Sequence, residues 1–413
     1  MCKIEIFFGT KKTKGVFAMS KQSMYEELGI DPHKAGVRGT FQALFPKGQY
    51  PNAFCVITPD LMIPGNVKVK HPDGSGSKIV QRVLHYLETR DISVFRQDTY
   101  DFTSMNTSDV AACGFVYNLE LTDVIDINSL LLPKAAILQE MAIGFSELLQ
   151  LYKQYGITLE ILGGETADLP DQVRTIVSNA DVRSSMPESL LISGNVQSGD
   201  LIFGFSSAGK ATWEKTKNSG IMANGLTMAR KSLMYEKYTE KYPFLCQQDT
   251  PFTGKFLVTE TVPGLGMTVG EALLSPTRQW AILIRMLIDE LKRKNALGLL
   301  HGICVNTGGG LTKILNLGSG ISYEKTLPSP PPIFKLIQEE SGEKWEHMMT
   351  TFNCGIGIEI IGEDKDAILT DTIHKISHAT NVDSFFLGKC TNAISGKNEV
   401  HIHSKYGQFQ FTK

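Results

Sequence analysis

Three short acidic segments are the chain's best candidates for chemistry. They are Asp73-Gly74-Ser75-Gly76-Ser77-Lys78, Ser108-Asp109 and Gly163-Gly164-Glu165-Thr166-Ala167-Asp168, each expected in a loop at the end of an element. Magnesium carrying a nucleotide is held by one or two carboxylates plus phosphate oxygens, so acids displayed on separate loops can together build such a site. Taken singly, each also reads as an ordinary structural turn, because Asp-Gly connects hairpins in many folds.

A second group of residues concerns anions. Gly204 to Ala211 follows a predicted strand and spells GxxxxGK, the phosphate-cradling pattern of many nucleotide triphosphatases. Its eighth position is Ala211, which has no hydroxyl for magnesium, and Thr212 comes one residue late. A P-loop is therefore not expected, although the backbone N–H groups around Ser206 and Ser207 can still hold a phosphate. The run from His301 to Asn306 is strand-like and leads into Thr307-Gly308-Gly309-Gly310, through which a backbone can approach an anion closely. His301 can serve there as an acid or base, or be a satisfied structural residue. Cys304 and Cys354, in apolar surroundings, read as small buried hydrophobes.

The elements that must position these groups follow from periodicity. Ile79, Val83, Leu84 and Leu87 share one stripe of a helix over 78–88, and Leu138, Met141, Ala142, Phe145, Leu148, Leu149 and Tyr152 mark a longer one over 133–155. A strand over 158–162 delivers Gly163-Gly164, and others are expected over 53–58, 67–70, 189–193 and 201–205. Pro276 opens a helix to Lys294 with Trp280, Leu283, Ile284, Leu287, Ile288 and Leu291 on its apolar side. Strands and helices alternate irregularly, so α/β or α+β domains are expected, with a boundary near residue 188.

Composition limits the partners. At 413 residues the chain suits two domains, and 42% hydrophobic with 20% charged residues describes a chain that buries a core. Lys plus Arg number 41 against 43 for Asp plus Glu, so no basic field gathers nucleic acid or a membrane surface. Seven scattered cysteines without a CxxC pair or a His cluster at zinc spacing suggest a reducing cytoplasm. Residues 1–18 put Lys11, Lys12 and Lys14 after the apolar part, the wrong order for a secretory signal, and Met19 is an alternative start.

Taken in order, the segments resemble the aminoimidazole ribonucleotide synthetase family, the phosphoribosylformylglycinamidine cyclo-ligases. The family's DGxGTK loop is similar to Asp73 to Lys78, its Asn-Asp loop to Ser108-Asp109, and its LGGETAEMP segment to Leu162 to Pro170. SPTR stands at Ser275 to Arg278, H-x-TGGG resembles the run from His301 to Gly310, and FNxGIG stands at Phe352 to Gly357. The chain departs from the family at Ser77, at Ser108 and in the SSGxHSNG segment. That segment is split between Ser206-Ser207 and Asn224-Gly225 by an insertion containing Trp213 to Gly220.

The resemblance implies two α/β domains: residues 19–188, which bind ATP, and residues 189–413. The N-terminal sheets of two subunits would close a barrel at the interface of a homodimer. It implies ATP-dependent ring closure of formylglycinamidine ribonucleotide with Mg2+ held by Asp73, Asp109 and Glu165. Gly74, Ser77, Lys78, Gly163, Gly164 and Thr166 join these acids around the nucleotide. Lys78 and His301 are the catalytic candidates, with Lys78 neutralising charge on the transferred phosphoryl group. Ser206, Ser207, Asn224, Gly225, Thr307, Gly308 and Gly309 would hold the substrate. By its own composition, with Lys215, Lys217, Asn218, Ser219 and Gly220, the insertion reads as a mobile, solvent-facing loop, either a lid over the nucleotide or a passive surface excursion. A small-molecule kinase and a non-catalytic binding protein are the alternatives.

Overall fold

The chain's structure is a computed structural model that describes residues 23–30, 48–247 and 249–413, so the leader and the start at Met19 lie outside the described residues. The N-terminal half builds one sheet from β1 (Ile57–Pro59), β2 (Asn66–Gly74), β3 (Asn118–Ile127), β4 (Thr158–Asp168) and β5 (Ile176–Pro187). Their order is β1-β2-β5-β3-β4. β3 and β4 run parallel, which requires a crossover, and the helix Lys134–Gln154 supplies it. Along β5 the alternation is strict: Ile176, Ser178, Ala180, Val182, Ser184 and Met186 point inward. The helices Lys78–Thr89, Arg96–Ala111 and Lys134–Gln154 pack against this sheet. Val124 and Val177 stay exposed.

The C-terminal half builds a second sheet. After β6 (Leu201–Ser206) come the short pair β7 (Ala208–Gly209) and β8 (Asn218–Ser219), then β9 (Leu300–Val305) and β10 (Ile321–Thr326). The remaining strands are β11 (Ile356–Gly362), β12 (Ser384–Asn392), β13 (Glu399–Ser404) and β14 (Gly407–Thr412). The order is β14-β13-β10-β12-β6-β11-β9. Every residue of β11 is buried, and the Trp280 ring of the helix Trp280–Arg293 lies so close over Gly357 that a Cβ there would collide with it. Among the described residues both sheets are open and no barrel is closed. Among the described residues no helix is long and apolar enough to cross a membrane.

Several local expectations change. The segment Gly163 to Asp168 is no loop: β4 continues through it, because its backbone keeps pairing with β3 past a register shift between Leu121 and Thr122. Asp73-Gly74 ends β2 and is not a turn. Asp109 lies in the last turn of the Arg96–Ala111 helix, not in a loop. That helix hides from apolar periodicity because its buried residues include Asp98, Thr99, Asp101, Thr103, Ser104, Asn106, Thr107 and Ser108. Residues 189–193 form no strand, and a short 3-10 turn, Glu188–Leu190, stands at their start. The helix expected from Pro276 starts at Trp280, since Thr277 donates from its N–H and hydroxyl to Asp101 and is held outside the helix. No helix begins at the exposed Lys210, in line with the missing P-loop.

Candidate functional site

Two elements of the N-terminal half converge on one point. β2 delivers His71 and Asp73, whose side chains share a face two residues apart, and the Arg96–Ala111 helix delivers Asp109. One ligand atom from each of the three lies within 4.8 Å of the others, and His71 Nε2 is 3.5 Å from Asp109 Oδ2. From the C-terminal half, Lys313 Nζ donates to Asp109 Oδ2 at 3.1 Å and to the Thr307 hydroxyl. Its ammonium also lies 4.4 Å from the centre of the Phe54 ring.

The glycine-rich turn makes this reach possible. Gly310 has φ 52° and packs so tightly on the Met349 and Phe352 carbonyls that a side chain would not fit, which turns the backbone into the 3-10 helix Gly310–Asn316 carrying Lys313. Gly225, at φ 75°, caps the helix Leu226–Leu233 with the Phe352 ring against it. Beside it, the Thr227 hydroxyl donates to Ser77 Oγ at 2.8 Å and Arg230 donates to the Ser77 carbonyl at 2.7 Å. Asn224 borders Gly308. The cleft thus takes its walls from Asp73 to Ser77, Asp109, Asn224 to Thr227 and Thr307 to Lys313.

Its electrostatics favour a cation. Burial and then the Asp109 charge raise the pKa of Asp73 above the usual carboxylate range, against the pull of the Gly74 N–H. Burial opposes the charge of Lys313, but Asp109 and its neighbours outweigh it and raise the lysine's pKa. Asp109 Oδ1 and Asn224 Oδ1 are buried acceptors without a hydrogen-bond partner. Hard oxygen donors on two repelling carboxylates, one with a vacant lone pair, fit magnesium.

The other expected residues are placed differently. Lys78 is fully buried and its ammonium is held by Asp101 at 2.8 Å and by the Ser275 carbonyl, so the amine that meets Asp109 is Lys313. Burial lowers the Lys78 pKa. Asp73, Ala180, Asp123 and Gly164 stand in one row across β2, β5, β3 and β4. Three strand spacings, about 14 Å, therefore separate Gly164 from Asp73, and the exposed Glu165 and Thr166 follow Gly163 and Gly164 along that outer strand. Within one chain Glu165 does not meet Asp109. Ser206 ends β6 and Ser207 follows it; Ser207 Oγ donates to Asn353 Oδ1 at 3.1 Å and the Ser206 carbonyl accepts from Arg278.

His301 sits at the start of β9, with Thr307 beyond the strand's other end, and its Nδ1 pairs with Asp200 at 2.8 Å. That partner raises its pKa against the effect of burial. In H-x-TGGG the histidine stands two positions before the threonine, a place that Val305 fills here, buried in the sheet. The structure thus places His301 on Asp200, at the end of β9 away from Thr307. His71 and Lys313 escaped the sequence reading; the strand spacing of His71 from Asp73 was the one available signal.

The insertion is anchored at both ends. Trp213 packs edge-on against Tyr155, Glu214 pairs with the buried Arg278 at 2.8 Å, and Asn218 donates to the Pro276 carbonyl at 2.7 Å. Lys215, Thr216 and Lys217 are its exposed part.

Scanned against models of protein families, the chain matches none. Among curated proteins it is 28% identical over 394 residues to the phosphoribosylformylglycinamidine cyclo-ligase of Methanococcus maripaludis, covering 94% of this chain and 92% of that protein. It is 30% identical over 379 residues to the enzyme of the same name from Methanococcus vannielii, covering 91% and 87%. Among solved structures, AaThiL complexed with AMPPCP and TMP superposes with a TM-score of 0.51 over 95% of this chain and 99% of that one, at 12% identity, a likeness of fold. The likeness to the curated enzymes is one of sequence, sustained through both halves at once, and the protein belongs to the phosphoribosylformylglycinamidine cyclo-ligase family.

Proposed function

We infer that the protein is an ATP-dependent ligase that closes the imidazole ring of formylglycinamidine ribonucleotide, yielding aminoimidazole ribonucleotide, ADP and phosphate. The observation that carries this reading is the meeting of Asp73, Asp109 and Lys313 in a cleft floored by the Thr307 to Gly310 turn. Magnesium held by Asp73 and Asp109 would offset the charge of the nucleotide's phosphates and polarise the transferred group. Lys313 takes the part expected of Lys78, neutralising charge that builds on that group. The backbone of Gly308 and Gly309 and the side chain of Asn224 bind the substrate. Phosphorylation of the formyl amide oxygen makes it a leaving group, and the neighbouring nitrogen of the same molecule closes the ring. The cleft's contribution to that step is to hold the two ends in a near-attack shape.

The reading includes a homodimer, with residues 19–188 as the nucleotide-binding domain, residues 189–413 as the second domain, and work in the cytoplasm. Its support is that among the described residues β1 and β4 are the edges of the sheet and that Leu61, Met62, Val124, Leu162 and Val177 are exposed on or beside it. Pairing of two such sheets into a barrel would bring the exposed Glu165 of one subunit toward its partner's cleft. Incubation with ATP, magnesium and the amidine substrate tests the function: aminoimidazole product with stoichiometric phosphate is expected. A phosphorylated, unclosed product would favour a kinase, and no turnover would favour a binding protein.

A further inference from the structure

His71 stands in the cleft beside both acids, and the ring closure described above gives it no part. On β2, Val67 and Val69 point into the core, and the same alternation carries His71 and Asp73 onto the face that the Arg96–Ala111 helix covers. His71 Nε2 is buried without a hydrogen-bond partner, and so is Oδ1 of Asp109, a residue only 4% exposed. The 3.5 Å between His71 Nε2 and Asp109 Oδ2 is too long for a hydrogen bond. Two orphaned polar atoms buried side by side need a ligand to satisfy them.

The ring's other nitrogen decides which one carries the hydrogen. The Cys55 thiol donates to the Asp109 carbonyl at 3.3 Å, so its sulfur has only lone pairs left to offer. His71 Nδ1 lies 3.9 Å from that sulfur and donates to it, which leaves a free lone pair on Nε2. Metal-ligating histidines are oriented in this way, through a hydrogen bond from the second ring nitrogen. Lys313 occupies Oδ2 of Asp109 and leaves Oδ1 open.

Granted that Asp73 and Asp109 carry the nucleotide's metal, as in the function proposed above, we propose that His71 Nε2 is a third ligand of that metal and that the cleft consequently holds a divalent ion of the manganese type more tightly than magnesium. One ligand atom from each of the three residues lies within 4.8 Å of the others, so side-chain shifts of a few tenths of an ångström bring all three to a single ion. Magnesium takes oxygen ligands and keeps its water, whereas an imidazole nitrogen strengthens the hold on first-row transition ions. One nitrogen beside two carboxylates shifts the preference between ions.

The test is Mn2+ binding to the full chain without nucleotide, read by electron paramagnetic resonance, with Mg2+ as competitor. Wild type should bind the ion, Asp109→Asn should lose it, and pulsed spectra of the bound ion should show coupling to a directly bound imidazole nitrogen. His71→Gln should lose that coupling and bind Mn2+ about ten-fold or more weakly, while its Mg2+ affinity changes by less than about three-fold. Isotopic labelling of the nitrogens of histidine in wild type should change the coupling frequencies, which decides the matter if the variant folds poorly. Mn2+ held through Asp109 without nitrogen coupling, or an unchanged preference between the two ions in His71→Gln, would overturn the role of His71 and leave the two-acid site standing. Mn2+ binding unchanged in Asp109→Asn would overturn the metal site itself, and His71 with it. Failure of ring closure in a chain that shows the coupling would sink the ligase reaction and leave the ligand in place.

Discussion

Asp109 has one oxygen on Lys313 and one with no partner, which makes it the residue whose charge the cleft uses most directly. Asp109→Asn should abolish ring closure while the melting temperature stays near that of wild type, because the amide can still accept from Lys313. The two lysines separate chemistry from folding. Lys313→Ala should cut turnover by about ten-fold or more with a modest change in stability. Lys78→Ala removes one of the two cations on buried Asp101, leaving Arg82 and Thr277 as its partners, and should cost about 2 kcal/mol or more of stability, which urea unfolding would read. Equal losses of stability in both variants would contradict this division. His301 makes a pH prediction. Its pKa is raised in the folded protein by Asp200, so the pair's contribution is full below the unfolded value of about 6.5 and is lost as pH rises through the folded value. The melting difference between wild type and His301→Gln should therefore be larger at pH 5.5 than at pH 8.5. Asp73 and Asp109 were legible because each lies in a short distinctive segment. Lys313 was not, since nothing near it in sequence announces a contact with residue 109.

At the scale of elements, periodicity located what is amphipathic and missed what is polar and buried. The helices Lys78–Thr89 and Lys134–Gln154 span nearly the residues expected of them, although in the second the buried face takes in Ile137 and Gly144 and leaves Ala142 exposed. The Arg96–Ala111 helix has no such stripe, because Asp98 and Asp101 are buried on ion pairs with Arg82 and Lys78 that come from another helix. β4 outran its expected end because a parallel neighbour satisfied its backbone, which residue type alone does not reveal. The insertion is the clearest reversal of an expectation. Replacing residues 213–220 by a short linker removes Glu214 from the buried Arg278 and should destabilise the protein by about 3 kcal/mol or more. Phosphate and ring product should still appear one for one in whatever enzyme remains folded. A shortened protein of unchanged melting temperature that hydrolyses ATP without closing the ring would restore the lid.

For the whole molecule, the open N-terminal sheet sets the remaining prediction. Leu162 is 59% exposed on the edge strand β4, and Leu61 and Met62 are 85% and 84% exposed beside the opposite edge. Leu162→Asp should shift sedimentation from dimer toward monomer and lower activity in parallel, with the monomer's helix content unchanged; a monomeric wild type would remove the barrel and the cross-subunit role of Glu165 together. The mixed α/β class, the amphipathic helices and the family are legible in the residues alone, because those rest on local periodicity and on ordered short motifs. Which acids meet is settled in the folded chain. Asp73, with His71 beside it, and Asp109 converge from a strand and a helix, Glu165 is carried to the sheet's far edge by strand order, and Lys313 enters from a place that no spacing rule connects to them. Such meetings depend on register and packing between segments remote in sequence, and local residue patterns carry no record of them.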